Sequence, residues 1–384
     1  MQSAVKDDLF DRHAWVLDPE AMHLNHGSFG AVTRIVRREQ DRWRLIAQAN
    51  PNGFFTRVLV DALEAVRISV ASFVRAEPSA VVLQPNVTWA ASTVLSSFPL
   101  ERGDEVLITD DTYAAVRAAA AGVCAERGAV LVQASLPALG ERAASDIMTA
   151  MQDRLTPRTR LAIVDHITSP TAVCVDPREA VERCHANGTV VLIDGAHAPG
   201  MLDLDVDTIG ADFYAGNFHK WCCAPWGSAF LAVARRWRDL LRSPVPGSEA
   251  SRGFPVGLEW WGTADYSALL ATPFALGVLE AAGADAIRER NAGLVSEGAG
   301  LVADALGVPP PGPSTISMIT LPLPAGLASD AESARALRDR AAADIGAEIM
   351  TTMARGGAAL RLSAHAYNRI EEYERLADYL VRQR

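Results

Sequence analysis

Val190-Val191-Leu192-Ile193-Asp194-Gly195-Ala196-His197 and, further on, Ala215-Gly216-Asn217-Phe218-His219-Lys220-Trp221 are the stretches whose reading decides the fold. A short apolar run bounded by turn residues is the pattern of a strand buried on both faces, as in a parallel sheet. Outward from it, between about residues 78 and 235, β-branched runs alternate with Ala/Arg/Glu-rich helical stretches. That alternation predicts an α/β fold, with a mostly parallel sheet covered by helices.

The expected strands are Ala80 to Leu83, Glu105 to Thr109, Ala129 to Gln133, Arg160 to Val164, Val190 to Ile193, Asp212 to Ala215 and Ser228 to Val233. Helices are expected at Thr88 to Ser97, Tyr113 to Arg127, Ala144 to Arg154 and Pro177 to Asn187, with Gly128 and Gly188 as C-terminal stops. The Gly/Pro/Ser-rich segment Ser243 to Trp261 reads as a loop that closes over something, and Ala268 to Asn291 as one long helix. Strands at Ser317 to Leu321 and Ala359 to Ser363 and helices at Ala331 to Ala343 and Glu371 to Arg382 make a small α+β unit. The chain thus divides into a large cofactor-binding domain, 21–265, and a small C-terminal domain, 266–384, with segment 1–20 packing near the latter.

With 49% hydrophobic and 21% charged residues, the 384-residue chain has the composition of a globular protein of two domains. The net charge of −10 and the lack of a dense Lys/Arg cluster argue against nucleic-acid or anionic-membrane surfaces as partners. No apolar run is long enough to span a bilayer, and Met1 to Trp15, with Asp7, Asp8 and Asp11, lacks the apolar core of a secretory signal. Five cysteines without metal-site spacing read as reduced thiols, so the expected location is cytoplasmic, and no metal is expected.

In open α/β sheets ligands bind at the carboxyl ends of strands, and that rule gathers scattered residues at one edge. Lys220 offers an amine that can hold pyridoxal 5′-phosphate as a Schiff base, and Asp194 a carboxylate that keeps the pyridine nitrogen protonated. Asn86-Val87-Thr88 falls at a strand-to-helix turn, where free amides and the helix dipole receive a phosphate. Asn217 and His219 can add donors, Tyr113 can stack on the ring, and His197 and Ser169 can bond its phenolic oxygen.

The segments His23-Leu24-Asn25-His26-Gly27-Ser28-Phe29-Gly30, Ile193 to Gly200, His219-Lys220-Trp221, Gly262-Thr263 and Leu360-Arg361-Leu362-Ser363 resemble the class V aminotransferase family, in its isopenicillin N epimerase-like branch. The resemblance runs over nearly the whole chain. It implies the type I fold of pyridoxal phosphate enzymes: a large domain with a seven-stranded, mainly parallel sheet, a small C-terminal domain, and a homodimer with sites at the subunit interface. It makes Lys220 the Schiff-base lysine, Asp194 the pyridinium partner and His197 the neighbour of the phenolic oxygen. Thr88, His219 and Asn217 would line the phosphate, and Gly262-Thr263 would reach the phosphate of the other subunit. Arg361 matches the arginine that receives a substrate α-carboxylate, a role suited to a planar two-pronged donor. Asn217, Trp226 and Pro170-Thr171-Ala172 depart from the usual family pattern.

Enzymes of this kind act at the α-carbon of an amino acid, with the freed lysine amine as general base. Return of the proton to the opposite face gives epimerisation, the first expectation. The alternatives are a lyase acting by β-elimination or C–S cleavage, a cyclising enzyme, an aminotransferase and a catalytically silent binding relative. A persulfide-forming cysteine desulfurase is disfavoured, because no cysteine follows Cys223 to accept sulfur. A second proton donor would come from His26, His365 or Tyr367, and Asn25, His26 and Tyr367 are further candidates to touch the substrate.

Overall fold

The structure, a computed structural model, describes residues 9–139 and 144–383. Strands β2 (Val81–Gln84), β3 (Glu105–Thr109), β4 (Val130–Ala134), β5 (Thr159–Asp165), β6 (Val190–Asp194), β7 (Phe213–Asn217) and β8 (Ala229–Val233) form one sheet in the order β2-β8-β7-β6-β5-β3-β4. Only β8 runs against its neighbours, so this is the mainly parallel sheet expected of the type I fold. Alternate residues face opposite sides. Val191, Ile193 and Tyr214 enter one core, and Leu192, Phe213 and Ala215 the other. Each such aliphatic side chain contributes about 1.5–3 kcal/mol on burial, which is why these strands read as unbroken apolar runs.

The helices α2 (Leu59–Phe73), α3 (Val87–Ser97), α4 (Ala114–Arg127), α5 (Ala144–Gln152) and α6 (Pro177–Ala186) cover the sheet, and α1 (Arg34–Ala49) packs on the helix Ser267–Ala282. Two further ones, α7 (Ser267–Ala282) and α8 (Ala284–Leu306), stand where one helix was expected. They meet at Gly283, whose φ of +86° belongs to glycine, and their axes bend by 76°. The alanine-rich sequence on both sides masks that break. No single helix among the described residues is long and apolar enough to cross a membrane.

Beyond α8, strand β9 (Met318–Pro322), helix α9 (Ala331–Ile345), β10 (Ala347–Glu348), β11 (Met350–Ala354), β12 (Gly357–Ser363) and α10 (Ile370–Arg382) follow. The sheet β11-β12-β9 is antiparallel and shares a separate core with α8, α9 and α10. β1 (Met22–His23) pairs in parallel with β10 and so brings the N-terminal chain to this side. Trp15 is buried, with His365 and Tyr367 at ring distances of 5.1 and 4.9 Å, and Arg12 pairs with Glu372 at 3.1 Å. Of the expected N-terminal segment, residues 1–8 lie outside the described residues.

The segment Ser243 to Trp261 is mostly irregular, and none of its residues lines the cavity at the carboxyl ends of β5, β6 and β7. Glu259 turns inward, accepting from Arg67 Nη1 at 2.6 Å and from the Leu83 amide at 2.9 Å. It gives a partner to one outward amide of the edge strand β2.

Candidate active site

A cavity of about 640 Å³ opens at the carboxyl ends of β5, β6 and β7. Lys220 stands just after β7 in a turn packed hard against Gly30, where a Cβ would collide with the carbonyls of His219 and Lys220. On the other side of the turn Gly200 has φ +83° and room for no side chain against Trp221. Both glycines let backbone approach backbone closely enough to fix the lysine.

The Lys220 amine lies 3.2 Å from His197 Nε2, and the Trp221 indole donates to His197 Nδ1 at 3.3 Å. With Nδ1 accepting, a neutral imidazole carries its proton on Nε2 and donates to the lysine, which must then be an unprotonated amine. The electrostatics agree. Burial, then the Arg361 charge, lowers Lys220 from 10.5 to about 7, and burial holds His197 well below its usual value.

Asp194 closes β6 and accepts from the Ala196 amide at 3.0 Å. Burial raises its carboxyl, while that amide and Lys220 pull it back. At the start of α3, Asn86 caps the Trp89 amide at 2.8 Å and Asn217 Oδ1 accepts from the Val87 amide at 3.0 Å. The Val87 amide is therefore already engaged, and Thr88 supplies the donors this helix start turns to the cavity. Asn217 keeps its amide nitrogen for a ligand. His219 donates through Nδ1 to the Ser228 carbonyl at 3.0 Å, which leaves Nε2 as its free ring atom. Burial and then Lys220 bring that ring down to about 4, so Nε2 accepts at neutral pH; a bound anion would raise the ring's proton affinity and make Nε2 a donor.

Arg361 on β12 is buried behind the cavity wall. Its Nη1 donates to the Ser169 carbonyl at 2.6 Å, and its Nη2 to Asn25 Oδ1 at 3.0 Å and Ser28 Oγ at 2.9 Å. Its Nε is buried without a partner. These contacts are all neutral oxygens, and burial lowers the guanidinium to about 10. A buried cation so surrounded favours an incoming carboxylate.

The family model for the class V aminotransferases matches residues 55–376. The chain belongs to that family. It is 35% identical to the isopenicillin N epimerase of Streptomyces clavuligerus, over 98% of each chain. It is 34% identical to a putative L-cysteine desulfhydrase of Oryza sativa subsp. japonica, over 92% of this chain and 81% of that relative. Among solved structures, the cystine C–S lyase C-DES in complex with its product cysteine persulfide superposes with a TM-score of 0.78 at 20% identity, covering 94% of this chain and 98% of that one. A mutant of C-DES carries glycine covalently linked to its pyridoxal phosphate, at a TM-score of 0.79, 20% identity and coverage of 97% and 99%.

The protein is thus a pyridoxal phosphate-dependent enzyme of the class V aminotransferases, and the residues present fit that cofactor. A neutral buried amine, a carboxylate, a helix start with a free hydroxyl and an unpartnered Asn217 amide occur around one cavity. Lys220 is also the one lysine among the described residues, since the chain has only Lys6 besides. That scarcity is a signal the motif reading passed over.

Asn25, Asn86, Thr88, Tyr113, Ser169, Asp194, His197, Asn217, His219 and Lys220 all line the cavity of this class V enzyme. His26 and Tyr367 do not. His26 donates through Nε2 to the Lys220 carbonyl at 3.1 Å, and its Nδ1 accepts from the Tyr367 hydroxyl at 2.9 Å. The ring is stacked on His365 and sealed beneath the lysine turn, so neither His26 nor Tyr367 meets a substrate there. His365 is buried in the same stack. His26, His365 and Cys223 bring ligating atoms within 4.8 Å of one another, but the two rings stack 20° from parallel at 4.2 Å. Their in-plane lone pairs do not converge on one ion.

Gly262 and Thr263 lie outside this cavity, the Gly262 carbonyl accepting from Tyr266 at 2.9 Å. The sequence reading missed His23, Asp165, Arg338, Glu348 and Met350, all of which line it. His23 reaches the wall because β1 pairs with β10, a two-residue contact too short to show periodicity.

Proposed function

We propose that the enzyme epimerises an amino-acid or amino-acid-derived substrate at Cα, in the manner of its isopenicillin N epimerase relatives. The observation that carries this reading is a pair of nitrogen bases in one cavity: the Lys220 amine after β7 and His23 on β1. His23 Nε2 is buried without a partner, and burial lowers its basicity, so the ring is a neutral base able to take up a proton.

Bound pyridoxal phosphate supplies the electron sink for a carbanion at Cα. Arg361, screened by Asn25, Ser28 and Ser169, supports a site for the α-carboxylate. Lys220 takes the α-proton, and His197 holds the amine in its unprotonated form. His23, once it has taken up a proton at Nε2, delivers it to Cα. The exposed aromatics Phe29 (70% exposed) and Trp226 (68%) support a homodimer, as does the surface position of Thr263.

A second reading, C–S elimination, draws on the desulfhydrase relatives, which match nearly as closely as the epimerase. It needs only Lys220 as base. Incubation with a panel of L-amino acids and short peptides in D₂O separates the two. Deuterated D-isomer supports epimerisation, and His23→Asn should then keep α-deuterium exchange but lose inversion. Keto acid, ammonia and sulfide without D-isomer would replace epimerisation with elimination.

A further inference from the structure

Asp165 has no part in the chemistry above, yet it ends β5 in register with Asp194 at the end of β6. Paired residues of neighbouring parallel strands, about 4.8 Å apart, point to the same face of the sheet. Both carboxyls are buried and both line the cavity. Their partners differ. Asp194 has the Ala196 amide; Asp165 has the Thr112 hydroxyl and its own amide as donors, yet its Oδ2 is buried without a hydrogen-bond partner.

The groups around the pair leave room for one charge and not two. From the β3 side Asp111 adds a third buried carboxylate, accepting from the Thr171 hydroxyl. From the β7 side Lys220 is the facing cation, and it favours the unprotonated form. Two buried carboxyls sharing a site do not both ionise, and the one that faces the lysine keeps the charge while the one with an orphaned oxygen holds the proton.

We propose that Asp165 is a positioning residue that carries a proton at neutral pH and donates it to Asp194, so that the two carboxyls act as one unit with a single negative charge. The electrostatics run the same way. Burial, then the fields of Asp194 and Asp111, raises Asp165 well above the usual carboxylate range. The donated hydrogen bond orients Asp194 and leaves its other lone pairs for the cavity. Its use toward the cofactor rests on Asp194 meeting the ring nitrogen.

Infrared spectra of the apoprotein with ¹³C-labelled aspartate test the proton directly, and without cofactor. A protonated-carboxyl C=O band is expected at pH 7, lost only above neutral pH, and absent in Asp165→Asn. No such band in the wild type, or its survival in that variant, overturns the proposal. Pyridoxal phosphate affinity gives the second readout. Asp165→Asn keeps a donor to Asp194 and should leave Kd within a small factor, whereas Asp194→Asn should raise it at least about tenfold, the loss of one charge-assisted contact. Equal losses in both variants would make Asp165 a second anion and refute the shared proton. If the band behaves as expected while Asp194→Asn leaves Kd unchanged, the proton sharing stands and the assignment of Asp194 to the ring nitrogen fails.

Discussion

The rate at which apoprotein captures pyridoxal phosphate should follow the ionisation of one amine. Burial and the Arg361 charge lower Lys220 from 10.5 to about 7. At 1.36 kcal/mol for each tenfold in proton affinity, that is about 5 kcal/mol in favour of the neutral amine. At pH 7 roughly half of Lys220 is then nucleophilic, against roughly one part in three thousand for an ordinary lysine. Stopped-flow absorbance near 420 nm, the approximate region of lysine-bound cofactor, measures the capture rate from pH 5.5 to 9.5. The rate should rise through a midpoint within about one pH unit of 7 and level off by roughly pH 8.5. The sign of two perturbations follows from the same neighbours. Arg361→Gln removes a positive field and should move the midpoint up, and Asp194→Asn removes a negative one and should move it down. A rate that still climbs tenfold per pH unit between 8 and 9.5 would refute the account of Lys220 as a buried neutral amine.

Arg361→Gln should also raise KM for α-amino acids by about 2–3 kcal/mol, roughly 30- to 150-fold, the worth of a hydrogen bond to a charged group; steady-state kinetics on the best substrate read it. Gly30→Ala drives a Cβ into the His219 and Lys220 carbonyls, so the lysine turn must shift. Titration of that variant should show weakened cofactor binding, while circular dichroism keeps the helix content. His26→Phe strands the Lys220 carbonyl and the Tyr367 hydroxyl, at about 1–3 kcal/mol for each buried group. Thermal unfolding should detect that loss, and the cofactor band should remain.

The large sheet was legible because its inner strands, buried on both faces, leave continuous apolar runs, and all seven strands, the half-exposed edge strand β4 included, stand within a residue or two of expectation. Asp194 and Lys220 were legible for a related reason, since one ends such a run and the other follows one. Asp165 ends one too, in Ile163-Val164-Asp165-His166, but a register pairing with Asp194 shows only once strand order is known. The side of the lysine turn that His26 occupies depends on close backbone packing at Gly30, which no local pattern encodes. β11 was missed because Met350-Thr351-Thr352-Met353-Ala354 lacks alternation, and the α7–α8 corner because a single glycine makes it.

Borohydride reduction of the purified protein, followed by peptide mass mapping, tests the central claim most directly. With only two lysines in the chain, Lys6 and Lys220, the result has few possible forms. The account predicts one phosphopyridoxyl group per chain, on Lys220, and none after Lys220→Ala. A label on Lys6 alone, or no label after incubation with excess cofactor, would contradict it.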